Sequence, residues 1–503
     1  VKFLTTNSKQ RGRDLFSCST ETQATLGDGG CLCHRPEIRY LADRINTQFS
    51  RRSFVAGLAA AGASFTFKTT AMAQPRPASS EPPRPILFTN VSVFDGRSPT
   101  LRKSAQVLIE GNKIKSVRDS GAVPQAVETI DGGGRVLMPG LIDAHTHLSL
   151  ATIPLQAALT ADVNYLMLCA GRAADSFLMQ GFTTARDVGG PVFGLKRAID
   201  EGVIAGPRIW PAGAMLSQTS GHGDFRTLHD LPRQNSDPAH FTERLGAAAL
   251  ADGVAEVLRR TREQLMLGAS HIKVMAGGGV TSDHDPLDSS QYTEAELHAA
   301  VEAADDWNTY VTVHAYTPAA IQKSLRAGVK CIEHGHLADE KTAQLMAEKG
   351  IWWSLQPFLD DEDATPFREG TSQRLNQKQV IQGTDTAYRL AKAHKVKTAF
   401  GTDTLFNAEV ARRQGAQLAK LTRWYSAAEV LKMATADNGE LLALSGPRNP
   451  YPGKIGVVED GALADLLLVD GDPLTDIALI ANPDKNFRII MKDGKIHKNT
   501  LKA

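Results

Sequence analysis

From about Met138 onward the chain repeats one pattern eight times: a short β-rich run, a glycine or polar loop, then an amphipathic stretch. The runs are LIDAHTH from Leu141, FTTARDV from Phe182, RIWPAG from Arg208 and HIKVMAG from His271, followed by YVTVHAY from Tyr310, KCIEHGH from Lys330, IWWSLQP from Ile351 and KTAFGTD from Lys397. Between them lie helical patterns with recognisable ends. TEAELHAAVEAADDW places Thr293 three residues before Glu296, the spacing of a capping box, and DEKTAQLMAEKG runs from a cap at Asp339 to a terminating Gly350. Strands that alternate with helices pair in parallel, and eight such units over roughly 300 residues predict an α/β fold, a closed (β/α)8 TIM barrel. An open doubly wound sheet would want a glycine-rich phosphate turn after its first strand. DAHTHLS, beginning at Asp143, is not one.

The two flanks read differently. ILFTNVSVFDG and AQVLIEGNKIKSV before the repeats, and ADLLLVDGDP and FRIIMKDGKIHK after them, are hairpin-like, with turns at Gly111-Asn112 and Asp493-Gly494. Their likeness predicts one small β-sandwich built from both chain ends, in segments 86–138 and 437–503, with the barrel inserted as 139–436. Upstream, SRRSFVAGLAAAGASF (Ser50 to Phe65) resembles a twin-arginine export signal, and Ala71-Met72-Ala73 supplies an A-x-A cleavage site. Its apolar run is too short to span a membrane. Residues 1–73 are therefore expected to be a removed targeting segment and 74–85 a Pro- and Ser-rich linker. The mature protein is then periplasmic or secreted, with no membrane insertion. A formal net charge of +1 gives no footprint for nucleic acid or an anionic membrane. Cys169 and Cys331, the two cysteines beyond the N-terminal segment, are too few for a disulfide framework and read as buried or free thiols.

In a barrel of this kind chemistry sits where the strands end. The first strand closes with His145 and His147, whose i, i+2 spacing puts both on one side of the sheet. The fourth carries Lys273, the fifth His314, the sixth His334 and the eighth Asp403. Each alone has an ordinary alternative, a polar strand end or an exposed lysine, but order, placement and residue types together match a metal-ligand set. His336 competes with His334; Gly335 breaks the strand between them, which favours His334. His271 reads as a structural histidine.

These segments resemble the amidohydrolase superfamily of metal-dependent hydrolases. PGLIDAHTH, IKVMAGGG, VTVHAYT, IEHGH, FGTD and the late GALADLLLVDGDPL carry the resemblance across residues 84–503. GFTTARDVGG and SGHGD (Ser220 to Asp224) bring it closer to imidazolonepropionase-like amidohydrolases, Xaa-Pro dipeptidases and ochratoxin-degrading amidases. The resemblance implies two divalent metal ions. His145, His147 and Asp403 would hold one, His314 and His334 the other, and a carbamylated Lys273 would bridge both. Carbamylation gives that position chemical sense, because an ammonium has no lone pair to offer a cation. Zinc suits imidazole and oxygen ligands, and manganese or cobalt would also fit.

Two such metals can share a water, lower its pKa towards about 7 and polarise a carbonyl. Asp403 is expected to act as base and then acid, Tyr316 to donate to the developing oxyanion, and His222, between two glycines, to contact substrate. Arg186 and Arg226 are alternatives for anchoring a substrate carboxylate. The expected reaction is hydrolysis, by a metal-bridging hydroxide, of the amide bond of dipeptides or of N-acyl and aryl-acyl amino acids, ochratoxin-type conjugates included. The alternatives with the same site are a cyclic-amide, carbamate, arylurea or organophosphate hydrolase. A non-catalytic binding protein on this scaffold would have lost ligands, and all six are retained. A small-molecule substrate and a homo-oligomer are expected.

Overall fold

The computed structural model describes residues 84–501 apart from 120, 122–126, 234–236 and 283. The twin-arginine-like segment and its linker lie outside the described residues, save for Arg84 and Pro85. All eight β-rich runs form strands: Leu141–Thr146, Phe182–Asp187, Arg208–Pro211, Ile272–Met275, Val311–Ala315, Cys331–His334, Trp352–Leu355 and Lys397–Phe400. Seven of the eight are buried along their whole length, as parallel strands must be when helices cover one face and the barrel interior the other. Each fully buried Leu, Ile or Phe in these layers contributes about 1.5–3 kcal/mol. The helices begin as their caps predict. Thr293 accepts from the Glu296 N–H while the Glu296 carboxylate accepts from that of Thr293, and Asp339 accepts from the Thr342 N–H at 2.8 Å.

The parallel ladder is continuous except at two seams. After Pro211 the third strand bends through Gly213, whose φ of +79° favours glycine. The chain then resumes as Met215–Ser217, which pairs with the fourth strand and with a short strand, Ala248–Leu250. The other seam lies between the eighth strand and the first. There the Asp403 N–H donates to the His145 carbonyl at 2.9 Å, and the Asn438 amide donates to the carbonyls of Ile142 and Phe400, each at 2.8 Å. Gly401 makes this closure possible, since a Cβ there would lie 2.3 Å from the His145 Cβ and 2.7 Å from its nitrogen. The (β/α)8 barrel is thus closed partly by side-chain hydrogen bonds, directly beneath the first strand's histidines.

Among the described residues the two segments flanking the barrel join one eight-stranded sheet, and the second layer of the expected β-sandwich is not seen. The order of the sheet is Lys495–Asn499, Phe487–Lys492, Leu466–Val469, Val136–Pro139, Ile86–Val93, Arg102–Glu110, Lys113–Asp119, with Glu128–Asp131 also paired to Ile86–Val93. Leu466–Val469 runs antiparallel to Val136–Pro139 and so links the two flanks. Period-two alternation sorts the side chains. Leu466 and Leu468 pack with Phe88, Val107 and Ile489 in the sheet's own core, while Leu467 and Val469 turn to the barrel core with Met138 and Phe487. Arg208, at the start of the third barrel strand, ties the units together: its Nε lies 2.7 Å from Asp465 and its Nη2 2.8 Å from Asp493. Among the described residues no helix is long and apolar enough to cross a membrane.

Candidate metal centre and active site

Every strand-end residue singled out by the sequence reaches the same mouth of the barrel. His145, His147, Lys273, His314 and His334 are all buried, and the Asp403 side chain keeps 15% of its exposure. Two of them depend on unusual backbone. His334 (φ +71°) and Asp403 (φ +53°) are in the left-handed region, which costs a non-glycine residue about 1–3 kcal/mol. Strand alternation alone would send Glu333 and His334 to opposite faces. The left-handed turn at His334 brings its ring inward beside its neighbour.

The donors converge on Asp403. Its Oδ1 lies 3.2 Å from His145 Nε2 and 3.3 Å from His147 Nε2. One ligand atom each from His145, His334 and Asp403 fall within 4.8 Å of one another. The His314 ring stands edge-on to His334 with centroids 4.5 Å apart.

Outer partners decide which nitrogen of each ring faces inward. His147 Nδ1 bonds the Gly189 carbonyl at 2.7 Å, His314 Nε2 the Gly278 carbonyl at 3.1 Å, and His334 Nδ1 the Gln356 Oε1 at 2.8 Å. His145 Nδ1 lies 2.7 Å from Glu333 Oε2. A carbonyl or carboxylate can only accept, so the contacted nitrogen carries the proton and the other keeps its lone pair for a ligand. His145 Nε2 is the telling atom: it is buried without a hydrogen-bond partner and points at Asp403. Lys273 is buried as well, with the Glu333 and Asp403 carboxylates as its opposite charges. An orphaned imidazole nitrogen, three further imidazoles and a carboxylate at these spacings fit a divalent cation.

Electrostatics favour the neutral form at three of the four rings. Burial holds His147 below its ordinary range, and His314 and His334 well below theirs, so these rings are neutral and able to ligate. Burial alone would lower His145 too, but the Asp403 and Glu333 carboxylates outweigh it and raise that ring. Burial would raise the Asp403 carboxyl; the adjacent His145, His147 and His334 rings instead hold it well below the usual carboxylate range. Burial lowers the Lys273 ammonium from the ordinary lysine range.

Around this centre the other expected residues sort themselves. Tyr316 is buried against two of the rings, edge-on to His314 at 5.1 Å and stacked on His334 at 5.0 Å. His222 stacks on His314 at 4.1 Å, and its Nδ1 lies 2.9 Å from both Asp285 Oδ2 and Ser282 Oγ. Gly279 leaves the space for that ring, since a Cβ there would meet it at 1.9 Å. His336 turns away to the Gln356 carbonyl at 2.9 Å, and His271 stacks on Tyr310. Neither arginine is free to hold a substrate carboxylate. Arg226 is paired with Asp224 at 2.6 Å, and Arg186 is wholly buried against Glu333. Glu333 and Gln356 were not singled out by the sequence. The only available signal was position: a carboxylate just before a strand-end histidine, and a polar residue ending the seventh strand.

A parallel barrel whose strand ends gather four imidazoles, a lysine and a carboxylate defines the class of metal-centred hydrolases. The chain belongs to the amidohydrolase family, whose model matches residues 136–497, and it is a hydrolase acting on amide bonds. It is 32% identical to ochratoxinase from Aspergillus niger over 386 residues, covering 72% of this chain and 76% of that one. Among solved structures it resembles a prolidase complexed with N-methylphosphonate-L-proline (33% identity, TM-score 0.76, covering 83% of this chain and 100% of the other). It also resembles a Xaa-Pro dipeptidase with bound methionine in its active site (28% identity, TM-score 0.71, covering 82% and 100%).

Proposed function

We propose that the protein is a binuclear metal-dependent amidohydrolase that cleaves the amide bond of dipeptides or of N-acyl and aryl-acyl amino acids. The observation that carries this is the buried, unpartnered His145 Nε2 facing Asp403, with three further imidazoles and Lys273 around it. His145, His147 and Asp403 would hold one ion and His314 and His334 the second, with zinc the best chemical match. Lys273 would bridge them as a carbamate. Its burial supports this, because the carbamate exchanges a buried cation for an anionic ligand with two oxygens. When bound, the ions activate water and polarise the scissile carbonyl.

The chain's own groups supply the rest. Asp403, the most exposed of the set, accepts a proton at a carboxylate oxygen as water attacks and returns it to the leaving nitrogen. The Tyr316 hydroxyl donates to the carbonyl oxygen as charge develops there. His222, fixed by Asp285, lies one ring beyond His314 and contacts the substrate. The names of the relatives, an ochratoxinase, a prolidase and a Xaa-Pro dipeptidase, support a substrate with a free carboxylate beside the cleaved amide. The Arg51-Arg52 segment supports export of the folded enzyme.

Mass spectrometry of a pooled panel tests the substrate class. Metal-loaded protein would be incubated with dipeptides including Xaa-Pro, N-acyl and aryl-acyl amino acids, carbamates, arylureas, lactones and phosphotriesters. Depletion of the free-carboxylate amides is expected. Depletion confined to neutral carbamates, ureas or esters would overturn the substrate class while keeping the metal chemistry.

A further inference from the structure

Beneath the metal centre, where barrel interiors are usually filled by branched apolar side chains, lies a fully buried ion pair between Arg186 and Glu333. Both members are held from several sides. Arg186 Nε donates to the Ala144 carbonyl at 2.5 Å and Nη1 to the Tyr310 hydroxyl at 3.2 Å. Glu333 Oε1 accepts from Arg186 and from the Thr312 hydroxyl, and Oε2 lies 2.7 Å from His145 Nδ1. Ala144 immediately precedes His145. The arginine therefore grips the backbone next to the ligand while pinning the carboxylate that holds the ligand's ring.

Stability alone does not explain such a pair. Desolvating two charges costs several kcal/mol per ion, and apolar residues of equal volume often serve as well or better. Its connections are also selective. His147 and His314 are oriented by neutral backbone carbonyls and His334 by an amide; of the four rings, only His145 has a carboxylate behind it, on Nδ1.

We propose that Glu333 is a positioning residue for His145, with Arg186 as its fixed counter-charge. Glu333 holds the proton of His145 on Nδ1, aims the Nε2 lone pair at the position shared with His147 and Asp403, and strengthens that ring as a ligand. Arg186 keeps the carboxylate in place and charged. The effect falls on one of the two metal positions, that of His145, and not on the one held by His314 and His334. This inference rests on the metal-centre reading above.

The test is zinc retention against a competing chromophoric chelator, read independently of turnover. Glu333→Gln keeps the acceptor oxygen but removes the charge, and the double variant Arg186→Met/Glu333→Gln removes both charges so that no buried ion is left unpaired. Either folded variant is expected to surrender one zinc per chain about 10-fold more readily than the wild type while holding the second as before. Folded variants that retain both zincs like the wild type would overturn the proposal. A wild type that binds no zinc would overturn the metal-centre reading instead. Should neither variant fold, a zinc-loaded crystal structure of the wild type decides. His145 bound through Nε2 with Glu333 on Nδ1 supports the proposal, and any other arrangement of that ring refutes it.

Discussion

A neutral histidine ligates a metal through one nitrogen while the other carries the proton, so each ring at this site is legible through what lies behind it. Glu333, Gly189, Gly278 and Gln356 play that part. Lys273→Ala and Asp403→Ala are each expected to abolish turnover in protein that still folds, with circular dichroism close to wild type. Full activity in either folded variant would be inconsistent with the proposed chemistry. Tyr316→Phe is expected to lower kcat by about 100-fold with little change in KM, the mark of a donor that acts on the transition state. A change in KM alone would make Tyr316 a wall of the pocket. At this scale the sequence showed which residue types meet, because His-x-His and the other strand-end residues follow from strand periodicity. Glu333 was invisible because alternation puts it on the face opposite His334. Only the left-handed backbone at His334 brings both inside.

Between elements, the barrel is least regular where the first and eighth strands meet, and the site sits on that junction. Asn438→Ala would leave the carbonyls of Ile142 and Phe400 buried and unpaired, at a cost of about 1–3 kcal/mol each, visible as a lower urea midpoint. Gly401→Ala would force a Cβ into the His145 backbone and is expected to cost metal binding as well as stability. Unchanged zinc affinity in that variant would show that the seam can yield without moving His145. The eight strands were legible because each is a short apolar run bounded by loop residues. The bend that divides the third strand at Gly213 and the hydrogen bonds from Asn438 were not. Both arise from contacts between segments far apart in sequence, which no local pattern encodes.

On the scale of the molecule, one sheet gathers both ends of the described chain and is fastened to the barrel through Arg208, Asp465 and Asp493. Arg208→Ala would strand Asp465 without its buried partner and is expected to cost about 3–5 kcal/mol in urea unfolding. Activity per folded molecule should remain near wild type, since this contact lies away from the strand ends that carry the site. The likeness of the two flanking hairpin regions suggested a two-layer sandwich, whereas their described strands share a single sheet. The arginine that joins sheet to barrel gave no signal, because its partners are more than 250 residues downstream. The most direct test of metal-dependent amide hydrolysis is a titration of zinc into chelator-stripped protein, with hydrolysis of the best amide from the panel followed at each addition. Activity is predicted to be absent without metal, to rise until two equivalents per chain are bound, and to be missing throughout in Asp403→Ala. Full turnover in the stripped protein, or in that variant, would contradict it.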